Sequence, residues 1–449
     1  MYSFTKNRCS LSTHMLSAAL GSLMLIFGLT STPASASAPS RHPAKYTSIA
    51  AAPNGGYWIQ VDDGDNSRTI AIDGAPQYES VPKPGSIAVI PGTSKYWVVT
   101  TDGYIYARGG APALCGGNPS RLTSCSGYEA DETITGATAS PNGQGLWAVD
   151  YDRHVWTAGN VQSYGDVTND NRTPSGIVAT ASGQGYYIVM NDGGVFARGD
   201  AVFYGSTGGD KPGGHDVTGI ALSYDLNGKQ VGYWLVADDG GVFNFGDAPF
   251  LGSTGGNDGG SWVTSIVTRP DQHTYAWVHA NGGVGQSATI PKVLIESAGQ
   301  ANLGVWGVQS HLPDTGIYRL PADGGLGQQW ELWPTTYDGS VVQIVNVGTG
   351  LCADVQGYYG PFLIQHPCKG SNADWNNQRF IITTYASTCA VPGGSPPCYD
   401  LAPASSSNER VITGDNSQLK LTQFGGGFWK FSLVSASDQP PNGPPPNGQ

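Results

Sequence analysis

The sequence predicts an all-β protein, a six-bladed β-propeller-like repeat domain followed by a β-trefoil. Three observations predict it. The 449 residues include 65 glycines and 30 prolines, with few charges and many aromatics, a composition of short strands and tight turns. An internal repeat fills the first half. Three aromatic closings spaced 49 to 50 residues apart mark the second. No long stretch carries helical periodicity, and a chain of this length exceeds a single core.

The repeat is plainest in two segments, Gly185-Tyr-Tyr-Ile-Val-Met-Asn-Asp-Gly-Gly-Val-Phe-Ala-Arg-Gly-Asp200 and Gly232-Tyr-Trp-Leu-Val-Ala-Asp-Asp-Gly-Gly-Val-Phe-Asn-Phe-Gly-Asp247. Weaker copies give six aromatic anchors, Trp58, Trp97, Trp147, Tyr187, Trp234 and Trp277, which recur every 39 to 50 residues. Each unit holds an apolar strand, a turn, a Tyr-Trp-type strand, an Asp-Gly or Asn-Gly and a returning strand. Those dipeptides (Asp102-Gly103, Asp192-Gly193, Asp239-Gly240, Asn281-Gly282) tolerate the positive φ of a tight hairpin. Units of forty-odd residues are blade-sized, and six of them close a propeller. The anchors read as core between blades. The turn acids read as turn chemistry, although the hairpins resemble the Asp-box of sialidase propellers. The segment also resembles GYWLVxxDGGVFxFGDAxFxGS repeats of exported bacterial proteins, a resemblance that implies architecture and no ligand.

The chain opens with Lys6 and Arg8, an apolar run from about Met15 to Leu29, and the small residues Ala34 to Ala38. That order predicts a secretory signal peptide over 1–36, too short to span a membrane, and hence a secreted, extracellular protein. The repeat domain is then expected over 37–289, the trefoil over 290–437, and a disordered Pro/Gly-rich tail over 438–449. The net charge is −12, and loss of Lys6 and Arg8 makes it −14. Such a surface repels phosphate backbones and anionic lipid, so neither nucleic acid nor membrane insertion is expected. Removing Cys9 with the signal leaves six cysteines, an even count that in an exported chain argues for disulfides. Fifteen pairings are open. Proximity favours Cys115–Cys125, Cys352–Cys368 and Cys389–Cys398, each worth roughly 3 kcal/mol on the chain-entropy model.

The three closings of the second half are Gln328-Gln329-Trp330, Gln378-Arg379-Phe380 and Phe428-Trp429-Lys430-Phe431. They predict three lobes related by pseudo-threefold symmetry. The middle lobe runs Asn346-Val-Gly-Thr-Gly-Leu-Cys352-Ala-Asp354-Val, then Gln365-His366-Pro367-Cys368, then Asn377-Gln378-Arg-Phe380. On these residues it resembles the ricin B-type lectin domain. The resemblance implies that Asp354 accepts hydrogen bonds from sugar hydroxyls, His366 stacks on the pyranose, Asn377 completes the polar grip and Gln378 braces the acid. The family usually has Trp where His366 stands, which implies weaker stacking, and Tyr358 or Tyr359 could supply a ring instead. Cys398-Tyr399-Asp400-Leu401 repeats the Cys-x-Asp pattern and makes Asp400 a second candidate acid.

Catalytic groupings are missing from the sequence. It has no Gly-x-Ser-x-Gly elbow, H-E-x-x-H or P-loop, and its histidines have no ligand spacing. Arg108, Arg153 and Arg198 read as repeat residues at equivalent places rather than as a sialidase arginine cluster. No cofactor, metal or oligomeric state is assigned. The expected function is a secreted lectin-like protein that binds glycans or polysaccharide through the trefoil, with the propeller as scaffold or second binding face. The alternative is a secreted glycoside hydrolase or lyase with a catalytic propeller, since such chemistry needs two carboxylates facing one bond. The even cysteine count predicts that the denatured, unreduced, secreted chain titrates with close to zero free thiols; one reactive thiol or more per chain would overturn the pairing.

Overall fold

Each repeat folds into a small antiparallel sheet in which the middle strand is the most buried. The computed structural model describes residues 45–433, except 63–66, 84, 127–132, 169, 210, 226–227, 257–260, 272, 289, 291, 298–303, 324, 335–340, 357–361, 369–376, 387–397, 406–409, 414–417 and 423–428. The expected signal segment, Tyr358, Tyr359, Cys389 and the tail 438–449 therefore lie outside the described residues.

The six sheets follow chain order. The first is β1 (Lys45–Ala51), β2 (Tyr57–Asp62) and β3 (Arg68–Ile72). The second is β4 (Gly85–Val89), β5 (Tyr96–Thr100), β6 (Tyr104–Arg108) and β7 (Ser120–Arg121), with the one-turn helix α1 (Thr123–Ser126) behind it. The third is β8 (Ile134–Ala139), β9 (Gly145–Asp150) and β10 (Val155–Gly159). The fourth is β11 (Pro174–Ala179), β12 (Gly185–Met190) and β13 (Val195–Gly199). The fifth is β14 (Val217–Tyr224), β15 (Gln230–Ala237) and β16 (Val242–Gly246), and the sixth β17 (Val263–Thr268), β18 (Tyr275–His279) and β19 (Val284–Gln286). The first strands pack in succession, β1 on β4, β4 on β8, β8 on β11, β11 on β14 and β14 on β17, and β17 returns to β1. That closed ring is a six-bladed propeller.

Close approach at the axis demands small side chains. A Cβ on Gly136 would meet Gly176 Cα at 3.2 Å, and one on Gly219 would meet Ser265 Cα at 3.7 Å. Five of the six inner strands carry a β-bulge beside these positions. The bulged residues Thr47, Thr135, Ser175, Thr218 and Thr264 each donate a hydroxyl, at 3.2 to 3.4 Å, to a carbonyl of the adjacent middle strand. A bulge leaves one residue unpaired in the ladder; here its hydroxyl restores a bond.

The aromatic anchors are core. Trp58, Trp97, Trp147, Tyr187 and Trp234 are fully buried. The indole N–H of Trp58 donates to Pro76 O, Trp97 to Pro112 O, Trp147 to Gln162 O and Trp234 to Pro249 O, all at 2.7 to 2.9 Å. Tyr187 reaches Val202 O through its hydroxyl at 2.8 Å. Each bond fastens the irregular outer segment of its own blade. Tyrosines tie neighbouring blades: Tyr186 donates to Gly165 O, Tyr233 to Gly205 O and Tyr275 to Gly252 O. Desolvation pushes the Tyr187 hydroxyl up to about 12 and those of Tyr233 and Tyr275 higher still, so all remain donors.

Two repeat assignments are corrected by register. Trp277 pairs with Ile266 as Leu235 pairs with Ile220, so Ala276, not Trp277, stands where Trp234 does. Arg153 occupies the glycine position of its turn, with φ 75°, and is not equivalent to the other two arginines. Arg108 and Arg198 do correspond: their guanidinium groups donate to the carbonyls of Glu79 and Ser80, and of Asp166.

Among the described residues the second half forms twelve strands: β20 (Lys292–Ser297), β21 (Gly304–Val308), β22 (Thr315–Pro321), β23 (Trp330–Pro334), β24 (Val341–Asn346), β25 (Cys352–Val355), β26 (Leu363–His366), β27 (Arg379–Ala386), β28 (Cys398–Pro403), β29 (Arg410–Thr413), β30 (Leu419–Thr422) and β31 (Trp429–Leu433). Six close a barrel through β20–β23, β23–β24, β24–β27, β27–β28, β28–β31 and β31–β20. The remaining strands form one hairpin per lobe, β21–β22, β25–β26 and β29–β30. This is a β-trefoil. Alternate barrel residues supply its core, Val293/Ile295, Val342/Ile344 and Tyr399/Leu401 facing Trp330, Phe380 and Trp429. Trp306 meets Trp330 and Trp429 edge-on, with centroids at 6.1 and 5.3 Å.

The two halves touch at blade six. Ile290 packs against apolar clusters of both, and the His273 ring lies 5.6 Å from that of Trp333. Beneath this contact Glu331 is buried and accepts from Trp333 Nε1 at 2.8 Å. Desolvation raises its carboxyl above the usual carboxylate range, against the pull of His273 and Lys292.

Replacing Trp234 with Phe leaves the Pro249 carbonyl without its donor and should cost about 1–3 kcal/mol in urea unfolding. Trp277→Phe loses only a bond to His279 Nε2 and should cost less. For Glu331, the folded chain keeps its proton to higher pH than the unfolded one. Its neutral form therefore favours folding below the ordinary carboxylate pKa, and that advantage is lost as pH rises through the raised value. Glu331→Gln should accordingly be more stable than wild type at pH 7 and equal to it near pH 3, measured by the same unfolding experiment.

Candidate functional site

The middle lobe brings four of the expected residues together through local geometry. Asn346 ends β24 and caps the following turn, its Oδ1 accepting from the amides of Gly348 and Thr349 at 3.0 and 3.1 Å. The turn hands the chain to β25. Its Cys352 pairs with His366 in register and forms the disulfide to Cys368, with a Cα separation of 5.0 Å. Cys115–Cys125 is also formed, at 5.3 Å. Strand alternation turns Ala353, Val355 and Leu363 into the core. Asp354, opposite Ile364, and His366, opposite Cys352, therefore share the outer face of the hairpin.

Asp354 is 2% exposed. Its Oδ1 accepts from Asn377 Nδ2 at 2.5 Å and its Oδ2 from Gln378 Nε2 at 2.8 Å. A buried carboxylate is costly unless it is hydrogen-bonded, and these two amides bear that cost. Gln378 also donates to Pro367 O at 3.0 Å, as Gln328 of the first lobe donates to Pro321 O at 2.7 Å. The bond to a proline carbonyl is thus shared by the first and middle lobes, whereas among the described residues the bond to an acid belongs to the middle one. His366 is one-third exposed at its side chain, and its Nδ1 stands 3.1 Å from Asp314 Oδ1. That distance is within ion-pair reach, but the geometry does not make it a hydrogen bond.

Two contributors are not evident in the sequence. Gln365, fully buried, donates to Ser310 O, Leu312 O and Thr315 Oγ1 at 2.6 to 2.9 Å and accepts from Thr349 Oγ1. It locks the first lobe onto the hairpin that carries Asp354 and His366. Asp314, whose amide donates to Gln365 O at 2.7 Å, supplies the charge beside His366. Both contacts join residues some fifty positions apart, so no local pattern announces them.

Asp400 is a correction. It lies on barrel strand β28, paired with Thr383, while Asp354 lies on the hairpin strand β25. The indole N–H groups of Trp330 and Trp429 donate to Trp306 O and Val411 O, which aligns Trp306, Ala353 and Val411 across the lobes. The counterparts of Asp354 are then Gly307 and Ile412. A Cβ on Gly307 would meet Gln328 Cγ at 3.0 Å, the same neighbourhood of the lobe's glutamine. The Cys-x-Asp likeness of Cys398 to Asp400 is a sequence coincidence between different strands. The side chains of Cys398 and Asp400, Cys389, Tyr358 and Tyr359 are outside the described residues.

The propeller offers a concavity, an axial channel of about 640 Å³. The inner strands line it with Thr47, Ser86, Thr138, Ser175, Thr264 and their neighbours. Among the described lining residues none is a carboxylate, and the charged one is Arg269, at a rim. No described helix is long and apolar enough to cross a membrane.

No family model matches the chain, and no curated protein does. Among solved structures it is similar to ThreeFoil, a designed threefold-symmetric protein, at 14% identity over 31% of this chain and 96% of that one, with a TM-score of 0.25. A protein of unknown function from Bacteroides thetaiotaomicron matches at 15% identity over 54% of this chain and 69% of its own, with a TM-score of 0.36. The cytolethal distending toxin of Haemophilus ducreyi matches at 16% over 30% and 80%, with a TM-score of 0.22. Similarities of this size carry no functional argument.

Proposed function

We propose that the protein is an exported carbohydrate-binding protein, in which the middle lobe of the trefoil holds a sugar and the propeller serves as scaffold or second binding face. The observation that carries this reading is the buried Asp354–Asn377–Gln378 group. The corresponding position holds Gly307 in the first lobe and Ile412 in the third, so the hairpin does not require an acid there. An acid there costs desolvation and requires two amides to offset it. An oriented carboxylate and amide read the directions of sugar hydroxyls, while a ring covers the apolar C–H face. His366, on the same face and partly exposed, is the ring available among the described residues.

The two disulfides among the described residues fit an exported chain. The hydrolase alternative needs a pair of facing acids, and the described channel lining supplies none.

The test is calorimetric titration of the full secreted chain with the best hit of a glycan array. Asp354→Ala should weaken binding tenfold or more, because loss of a hydrogen bond to a charged group is worth about 1.5–3 kcal/mol. Asp400→Ala should leave affinity unchanged, and His366→Trp should tighten it by enlarging the stacking face. Equal affinity for wild type and a folded Asp354→Ala variant would make the middle lobe scaffold alone.

A further inference from the structure

The blade turns carry a repeated charge pair, and blade five departs from it. Lys83 precedes β4 by two residues and meets Asp102 Oδ2 at 2.6 Å. Arg172 precedes β11 by two and meets Asp192 Oδ2 at 2.7 Å. His215 holds that position before β14. The pairings Gly85↔Thr100, Pro174↔Met190 and Val217↔Ala237 set all three blades in one register, which aligns Asp239 with Asp102 and Asp192. The residue before the turn acid is Thr101 in blade two and Asn191 in blade four, but Asp238 in blade five. The two sister turns therefore set their turn acid against a fixed cation, which in blade four also reaches Asp170 Oδ2 at 3.2 Å. Blade five sets two carboxylates against an imidazole.

The three side chains converge. His215 Nδ1 lies 2.8 Å from Asp238 Oδ1, and Nε2 lies 3.9 Å from Asp239 Oδ2. One ligating atom from each lies within 4.8 Å of the others. Asp239 is held in place by the amides of Gly241 and Gly256, at 2.8 and 3.1 Å. The side chains are 38%, 19% and 19% exposed, open enough for an ion to arrive and keep water ligands. The nearby cation Lys211 is engaged by Asp216 and does not neutralise the pair.

We propose that His215, Asp238 and Asp239 form a site for a divalent transition-metal ion of the Zn²⁺ class, completed by water. An imidazole with two carboxylates is a borderline donor set suited to such ions, whereas Ca²⁺ and Mg²⁺ favour oxygen alone. Donors sharing an ion at about 2.1 Å stand no more than about 4.2 Å apart, so atoms lying within 4.8 Å close on an ion by a small side-chain adjustment that exchanges the His215–Asp238 hydrogen bond for the metal. The ion takes the place of the lysine or arginine of the sister blades. It joins the segment leading into β14 to the turn after β15, and through the Gly256 amide to the outer segment of the blade.

The test uses the full chain, stripped with chelator and titrated with Zn²⁺ at pH 7.5 by calorimetry and thermal unfolding. Wild type should bind one ion with Kd below about 10 μM and show a raised Tm; binding of the ion to the folded state alone has that effect. His215→Lys recreates the pair of blade two, so it should fold, lose this ion and show no zinc-dependent Tm shift. Asp238→Asn, the blade-four arrangement, should weaken binding tenfold or more. The proposal is overturned if wild type shows no saturable binding, or if either folded variant binds zinc as wild type does.

Discussion

The propeller depends on one hydrogen bond repeated in four of its six blades, from a buried indole N–H to a carbonyl of the blade's own outer segment. The segments that meet these indoles, at Pro76, Pro112, Gln162 and Pro249, have no ladder of their own. A buried indole must find an acceptor, and a buried carbonyl a donor. Each bond between Trp58, Trp97, Trp147 or Trp234 and its carbonyl satisfies both needs at once and converts an irregular segment into part of the core. The tyrosines one residue earlier extend the device between blades. Where it lapses, at Ala276, the neighbouring Trp277 turns to His279 instead, and the sixth blade is the one against which the trefoil packs through Ile290 and His273.

The trefoil solves its packing by threefold repetition and leaves freedom elsewhere. The six barrel strands commit alternate residues to a shared core, so those positions admit only apolar side chains. The hairpins commit one face only. Gly307, Asp354 and Ile412 stand at corresponding backbone positions of the three hairpins, and a Cβ at Gly307 would crowd Gln328 Cγ at 3.0 Å, whereas Asp354 finds room for two amide partners. Chemistry can be placed there without disturbing the fold. The blade turns show the same division, in which the β-turn is constant while its opposing side chain runs through Lys83, Arg172 and His215.

The architecture was legible in the sequence because it rests on periodic, local signals. Glycine after Asp102, Asp192, Asp239 and Asn281 marked hairpins, and all four of these glycines have positive φ. Recurrence of the closings at Trp330, Phe380 and Trp429 marked the lobes, and all three are core. Equivalence between copies was less legible. A one-residue offset at Trp277, the glycine-like place of Arg153, and the false match of Asp400 to Asp354 all come from aligning residue types without strand pairing.

What the sequence by itself determined is the set of elements: short strands, tight turns, six units and three lobes, because turn chemistry and hydrophobic alternation act within a few residues. The clustering of Asp354 with Asn377 and Gln378 was implied by the family resemblance of the middle lobe and not by spacing or composition. Only the tertiary structure decided what those residues face. Asp314 beside His366, Gln365 bridging two lobes, and Asp238 with Asp239 converging on His215 are contacts between separate strands, and strand register sets them. Register is fixed by the packing of whole sheets, a property of the assembled chain that no short stretch of sequence carries.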